Sequence, residues 1–296
     1  MKNLIKTIFT TLFALTLTFS AASCNKNKEN TIVVGASSTP HALILEEIKD
    51  DLKEQGYTLE IRIMDDYVTP NTALENGDID ANYFQHTPYL DDFNKENNTH
   101  LSSVAKIHYE PFGVYGNGVT QASFDTEKTG RTILIPSDGS NCTRALFVLE
   151  AEGYIELNDG VTAFSSLTVQ DVKNSNGNTL VPVEAAQLPA QLKNSNPGSI
   201  AVINGNYAIA AGLKIADALA TESATGEAAQ LYANIIAVKT GNEENAKIKA
   251  LVAALQTEKV YNYIQNTFDG AVQAAFTLYR NNARDFSPAF FIWYQS

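Results

Sequence analysis

The chain has very little cysteine: of 296 residues only Cys24 and Cys142 carry a thiol. If Cys24 is consumed by modification, no intramolecular disulfide is possible, and stability must come from burial. Positive charge is also short. Lys and Arg number 21 against 33 Asp and Glu, a formal net charge of −12. A surface that acidic repels nucleic acid, so no nucleic-acid partner is expected. Nothing after residue 30 is apolar for long enough to span a bilayer. Sequence patterns of catalysis are missing too, with no G-x-S-x-G, H-E-x-x-H, P-loop or G-x-G-x-x-G at a strand-to-helix junction. The four histidines (41, 86, 100, 108) do not fall at metal-ligand spacing, and the nearest candidate, His108-Tyr109-Glu110, reads as an ordinary strand end. Cys142 opens a helix, a position that can lower a thiol pKa, but it has no spaced His partner and reads as a small packing residue. The expectation is a protein that is not an enzyme and carries no cofactor or metal.

The N-terminus is informative. Lys2 and Lys6 precede an apolar run from Ile8 to Phe19, followed by Ala21-Ala22-Ser23 directly before Cys24. Charged start, short apolar middle and small-residue exit form a cleaved export signal, residues 1–23. A cysteine at that exit resembles a lipobox, with Ala21 where an aliphatic residue is usual. Cys24 is thus the expected site of lipidation, palmitate included. Removing residues 1–23 leaves 273 and takes the formal charge from −12 to −14, since Lys2 and Lys6 leave with them. Membrane attachment then rests on acyl chains, each buried CH₂ contributing about 0.8 kcal/mol. A polar linker, 24–30, holds the body close to the membrane.

Beyond residue 30, short apolar strands alternate with helical periodicity. Strands are expected at 31–36, 59–64, 81–84, 102–107, 111–115, 132–136, 179–183, 200–203 and 233–238, with helices between. Thr69-Pro70 and Thr87-Pro88 suit helix starts, Asn242 suits a cap, and 141–152 and 206–211 read as helices. That alternation argues an α/β fold with largely parallel sheets, in two lobes, the strand near 233 returning the chain to the first. The expected boundaries are 31–117 plus 233–276 for one lobe and 118–232 for the other. Sites in such folds collect between lobes and at the carboxyl ends of strands.

Binding chemistry is better represented there than catalysis. Ser137-Asp138-Gly139-Ser140-Asn141-Cys142-Thr143-Arg144 follows a strand and opens a helix. Helix N–H groups and a planar guanidinium together suit a carboxylate, although an arginine there equally fits an ion pair with a nearby acid. Asn204 and Asn234 lie at ends of buried strands and offer both donor and acceptor, or ordinary turn chemistry. Tyr67, Phe84, His86 and Tyr89 form an aromatic set that core packing alone would also explain.

A resemblance orders these candidates. Asp66-Tyr67-Val68-Thr69-Pro70-Asn71, and Gly77-Asp78-Ile79-Asp80-Ala81-Asn82-Tyr83-Phe84-Gln85-His86-Thr87-Pro88-Tyr89-Leu90, resemble the NlpA family of methionine-binding lipoproteins of ABC importers. Gln187-Leu188-Pro189, Ala201-Val202-Ile203-Asn204, Tyr232-Ala233-Asn234 and Phe268-Asp269-Gly270-Ala271-Val272 continue it, so that it covers roughly residues 31–276. The resemblance implies a two-lobed, periplasmic-binding-protein-like fold of type II character, exported and membrane-anchored, closing on L-methionine and delivering it to an importer permease and its ATPase. It also implies roles. Tyr67, Phe84 and Tyr89 would enclose the thioether, His86 would orient the ligand's polar end, and Arg144, with Asn141 beside it, would pair with the carboxylate. Asn204 and Asn234 would bind the amino and carboxylate groups.

The chain departs from the family at Thr143, where glycine is usual, at Gly205-Asn206, and in residues 277–296, an atypical extension carrying the only tryptophan, Trp293. A side chain at Thr143 is expected to tighten or reshape the carboxylate site. The alternatives are another small amino acid or a methionine-containing dipeptide as ligand, an extracellular α/β enzyme using Cys142 or His86, or an adhesin.

Overall fold

The computed structural model describes residues 30–222 and 230–278. The export signal, Cys24, most of the linker and nearly all of the C-terminal extension, Trp293 included, lie outside the described residues. Chain order is β1 (Thr31–Ala36), α1 (His41–Glu46), α2 (Lys49–Glu54), β2 (Thr58–Ile63), α3 (Thr69–Asn76), β3 (Ala81–His86), α4 (Thr87–Asn97) and β4 (Leu101–Tyr109). Then come β5 (Gly113–Gly116), α5 (Gln121–Thr126), β6 (Thr132–Pro136), α6 (Gly139–Ala151), β7 (Glu156–Leu157), β8 (Val172–Asn174), β9 (Thr179–Val183), α7 (Leu188–Lys193), β10 (Ile200–Ile203) and α8 (Gly205–Ala210). The last are β11 (Ala220–Thr221), β12 (Asn234–Lys239), α9 (Ala246–Leu255), α10 (Glu258–Thr267) and β13 (Gln273–Ala274).

These strands form two principal sheets, ordered β13-β4-β12-β3-β1-β2 and β11-β5-β10-β6-β9. Each has a parallel centre: β1 pairs with β2 and β3, and β6 pairs with β9 and β10. The inner strands are apolar at nearly every position because helices cover both faces. In β10, Ile200 and Val202 enter one core while Ala201 and Ile203 enter another; in β12, Ile236 and Val238 face one core and Ile235 and Ala237 the opposite one. The period of two along a strand produces that division. Each sheet also receives one reversed inner strand just after the chain has left the other sheet. These are β5, antiparallel to β10, and β12, antiparallel to β3 and β4.

The expected α/β organisation is thus realised as two sheets joined by two chain crossings, at 110–112 and between β11 and β12. One detail differs. Residues 113–116, expected in the first lobe, hydrogen-bond in the second sheet, so the first crossing falls immediately after β4. An apolar strand belongs equally well to either sheet by composition; only its partners decide. Helix caps differ as well. The cap of α9 is Asn245, accepting from the Lys247 N–H, three residues beyond Asn242. At α3, the Asp66 carboxylate accepts from the N–H groups of Val68 and Thr69. At α4 the capping acceptor is the His86 ring rather than Thr87.

Candidate functional site

The first crossing, the carboxyl ends of β3, β6 and β10, and the start of β12 converge on one pocket. Its lining includes all eight expected ligand residues: Tyr67, Phe84, His86, Tyr89, Asn141, Arg144, Asn204 and Asn234. Glu110, Phe112, Gln85, Gly205 and Asn206 also line it, and none of these was expected from sequence.

One end is aromatic. Tyr67 lies 5.8 Å from Phe84 and 5.6 Å from Tyr89, and Phe84 lies 6.0 Å from Tyr89, ring centre to ring centre. Tyr207 approaches Tyr67 at 5.0 Å from the second sheet's side. Hydroxyls fix these rings: Tyr89 Oη donates to the Tyr67 carbonyl at 2.8 Å, and Tyr67 Oη donates to Asn206 Oδ1 at 2.7 Å. Tyr207 Oη in turn donates to the Asp65 carbonyl at 3.0 Å. The segments carrying these rings are tied by a buried amide network. Gln85 Nε2 donates to Asn71 Oδ1 at 2.7 Å and to Asn82 Oδ1 at 2.9 Å, and Asn71 Nδ2 returns a bond to Gln85 Oε1. The Asn and Gln residues of the two long motifs thereby lock α3 to β3, and the Tyr67 loop with them.

The polar end is fixed by a chain of hydrogen bonds whose directions follow from its two termini. Asp138 caps α6, its Oδ1 accepting from the Asn141 N–H at 3.0 Å and from Asn141 Nδ2 at 2.8 Å. Asn141 Oδ1 is therefore the acceptor facing His86 Nε2 at 3.2 Å and Asn204 Nδ2 at 3.0 Å. His86 agrees from the other side. Its Nδ1 accepts from the Tyr89 N–H at 3.2 Å, which leaves the proton on Nε2. Burial, with Arg144 nearby, pushes the His86 pKa down to about 3, so the ring is neutral. At the far end of this chain Asn204 Oδ1 is buried with no hydrogen-bond partner among the described residues.

Arg144 is 4% exposed and sandwiched by rings, its guanidinium carbon 3.8 Å from the Phe112 centroid and 4.5 Å from that of Tyr232. Its Nε donates to Glu222 Oε1 at 3.1 Å, its Nη2 pairs with Glu222 Oε2, and Nη2 also reaches the Glu110 carbonyl at 3.0 Å. The ion-pair alternative is thus realised within the pocket wall. The fork is held by Glu222, which the sequence did not announce as a partner.

Thr143 does not touch the pocket. Its Oγ1 accepts from the Leu167 N–H at 2.7 Å and lies 2.8 Å from the Gly139 and Ser165 carbonyls, pinning the 165–167 loop to α6. Cys142 faces the second core, and burial pushes its thiol up to about 12, far from a thiolate at neutral pH.

Behind Glu110 in the pocket floor lie His41 and His108, and the ligating atoms of the three are all within 4.8 Å of one another. Hydrogen bonds join them. Tyr83 Oη bonds His108 Nδ1, His108 Nε2 lies 2.6 Å from Glu110 Oε1, and His41 Nε2 lies 3.0 Å from Asn234 Oδ1. No helix among the described residues is long and apolar enough to cross a membrane.

Comparison with known proteins places this geometry. The family model described as NlpA lipoprotein matches residues 32–276. The methionine-binding lipoprotein MetQ of Bacillus subtilis is 39% identical over 270 residues, covering 88% of this chain and 96% of its own. The crystal structure of lipoprotein Tp32 from Treponema pallidum superposes with a TM-score of 0.74 at 40% identity, over 83% of this chain and 99% of that one. A nutrient binding protein from Burkholderia cenocepacia, solved bound to methionine, gives a TM-score of 0.76 at 35% identity, over 83% and 100% of the two chains.

Proposed function

The chain belongs to the NlpA lipoprotein family, and from that premise we propose that it is the lipid-anchored binding protein of an ABC importer, capturing L-methionine between its lobes. One observation carries the reading: a single pocket between the two sheets is aromatic at one end and rich in fixed polar groups at the other. Tyr67, Phe84 and Tyr89 are the proposed seat of the side chain. Aromatic rings contact a thioether sulfur favourably, by about 0.3–1.5 kcal/mol. Arg144 is the proposed partner of the ligand carboxylate, sharing its guanidinium with Glu222, and Asn141, Asn204 and Asn234 bind the remaining polar groups. His86 acts by position. Both its nitrogens are engaged by Tyr89 and Asn141, so it holds the amide that holds Asn204.

Closure is the proposed signal to the permease. Residues 31–112 with 233–276 form one lobe and 113–232 the other. Tyr67–Asn206, Tyr207–Asp65 and His86–Asn141 bonds bridge them, and a ligand touching both sides favours the closed arrangement by its differential affinity. Lipid on Cys24 keeps the carrier beside the transporter and raises the concentration at which they meet. An enzyme built on Cys142 finds no support in that buried, protonated thiol.

The test is calorimetry and thermal melting after unfolding and refolding to strip co-purified ligand. L-methionine raises the melting temperature by mass action, and small amino acids and methionine dipeptides bind more weakly. No heat and no shift with L-methionine refute the assignment.

A further inference from the structure

His41 opens α1 and His108 lies near the end of β4, so the two are far apart in sequence and no linear spacing marks them as a pair. The fold sets both rings against Glu110, the first residue after β4, and all three side chains are buried. One ligating atom of each lies within 4.8 Å of the others. Both histidines present the same nitrogen: His108 Nε2 is 2.6 Å from Glu110 Oε1, and His41 Nε2 is 3.5 Å from it. Asn234, which begins β12, adds its Oδ1 at 3.0 Å from His41 Nε2. Two imidazole nitrogens, a carboxylate oxygen and an amide oxygen converge. Outer groups fix their directions. Tyr83 Oη bonds His108 Nδ1, the nitrogen turned away from Glu110. The Asn206 main-chain N–H bonds the Glu110 carboxylate, and a Cβ on Gly205 would stand 2.7 Å from its Oε2, so Oε1 is the oxygen left to the histidines. Metal-ligating histidines carry such an oxygen partner on the remote nitrogen, and their carboxylates are hydrogen-bonded in turn.

The second observation is independent of that convergence. His41 Nδ1 is buried with no hydrogen-bond partner among the described residues, while the Thr39 main chain acts on the ring as an acceptor. An uncharged imidazole has one donor nitrogen and one acceptor nitrogen. With the proton on Nε2, Nδ1 is a buried acceptor without a donor. With the proton on Nδ1, the Nε2 lone pair points at two oxygens, Asn234 Oδ1 and Glu110 Oε1. A cation at Nε2 removes the second mismatch: lone pair and oxygens become its ligands, and the Nδ1 proton serves the Thr39 carbonyl. Turning the Asn234 amide over would give Nε2 a donor, yet the carboxylate would still lack a cation. Arg144 is forked onto Glu222 and bonds Glu110 at its main-chain carbonyl, which leaves two imidazoles and an amide N–H beside the carboxylate itself. A buried carboxylate so placed favours a positive charge.

We infer that His41 Nε2, His108 Nε2 and Glu110 Oε1, with Asn234 Oδ1, form a binding site for one divalent transition-metal ion of the zinc type. Two imidazoles with a carboxylate suit zinc, whereas calcium and magnesium take shells of oxygen. Tetrahedral zinc, with bonds of about 2.0–2.2 Å, holds its ligand atoms roughly 3.3 Å apart. The 3.0 and 3.5 Å separations already fit. The His108–Glu110 pair opens by roughly 0.7 Å as the ion replaces the proton between them, which leaves to solvent. An ion there ties α1, the end of β4 and the start of β12 together, whatever the pocket carries.

The experiment uses the purified, tag-free chain after chelator treatment. Zinc is added in excess, loosely held ions are removed by desalting, and the metal retained per chain is counted by mass spectrometry. Cobalt serves as a visible-absorption probe of coordination. Wild type is expected to retain one zinc per chain, to melt at a higher temperature with zinc than without, and to give the strong visible band of four-coordinate cobalt. His41→Gln and His108→Gln are expected to retain none, while His100→Gln, at the exposed histidine, retains one. No zinc retained by wild type, or equal zinc in all three variants, overturns the inference.

A gentler variant decides the matter if the histidine variants do not fold. Tyr83→Phe removes only the hydroxyl that orients His108, and zinc affinity is expected to fall about 10–100-fold, the scale of losing an outer-shell partner. Affinity within twofold of wild type in Tyr83→Phe, or the faint spectrum of six-coordinate cobalt in wild type, overturns the inference. Methionine binding is measured on the same samples without metal, so failure of the zinc site and failure of the methionine assignment are read separately.

Discussion

The two ends of the pocket solve different problems. At the aromatic end the ring hydroxyls already have protein partners, Tyr67 Oη on Asn206 and Tyr89 Oη on the Tyr67 carbonyl, so that what the rings offer a ligand is contact area. At the polar end Asn204 Oδ1 has no partner among the described residues, and burial pushes the Glu110 carboxyl up to about 7. Apolar fit discriminates by about 1–3 kcal/mol per missing group, whereas a site built to satisfy buried polar groups rejects a ligand lacking them far more strongly. On this comparison the proposed part of the rings is contact area, and the proposed part of the floor is recognition of polar groups.

The largest effect that would break this contrast comes from Arg144→Ala. It removes the proposed carboxylate partner and leaves the partly buried Glu222 without its cation, a loss of at most about 3–5 kcal/mol. The methionine-induced melting shift should disappear; a retained shift would move the carboxylate site elsewhere.

Titration separates the ends next, because only the floor responds near neutrality. His41, His86 and His108 have folded pKa values of about 4, 3 and 3, below the unfolded value near 6.5. They contribute stability that is present above pH 6.5 and is lost as pH falls towards 4. Glu110 has the opposite sign: raised from 4.5 to about 7, it favours the folded state below 4.5, and that contribution is lost as pH rises through 7. Three groups against one give a net fall in stability from pH 6.5 to 4.5, at most roughly 2–3 kcal/mol per pH unit. Denaturant melts at each pH measure it, and a flat profile would contradict the neutral histidines.

Gly205→Ala tests the floor sterically. A methyl 2.7 Å from the Glu110 carboxylate must displace it, and methionine affinity should fall at least tenfold while the fold persists. Unchanged affinity would show that the Glu110 position is not critical. At the other end, Tyr67→Phe removes one hydroxyl bond across the lobes, worth about 0.5–1.5 kcal/mol. A few-fold weaker affinity with unchanged ligand preference is expected, and a change of preference in a calorimetric panel would erase the distinction between the ends. Thr143→Gly should touch neither end: melting temperature falls by a few degrees through the freed 165–167 loop, and affinity for methionine stays put.

Much of this pocket was legible in the sequence, for reasons that differ by residue. Tyr67, Phe84, His86 and Tyr89 fall within long motifs, and Arg144 and Asn141 open a helix after a strand, so local chemistry and family pattern both marked them. Glu110 was noticed only beside His108 and read as an ordinary strand end, because its other neighbours, His41 and Asn206, are far from it in sequence. Glu222 was invisible for a stronger reason: it lies 78 residues from Arg144, and nothing local ties the two. Thr143 was misread because helix position alone does not say which way a side chain points once a neighbouring loop packs on it.

By itself the sequence determined the alternation of apolar strands and capped helices, hence the α/β class, since those depend on patterns of period two and 3.6 within one short segment. It also raises the expectation of an export signal and a lipid anchor at Cys24, on the same local grounds. Which sheet receives residues 113–116, which acid holds Arg144, and which way the Asn204 amide points were decided only by tertiary structure. Each of these is a matter of partners, and buried polar groups and strand edges take their partners from whatever the fold brings beside them.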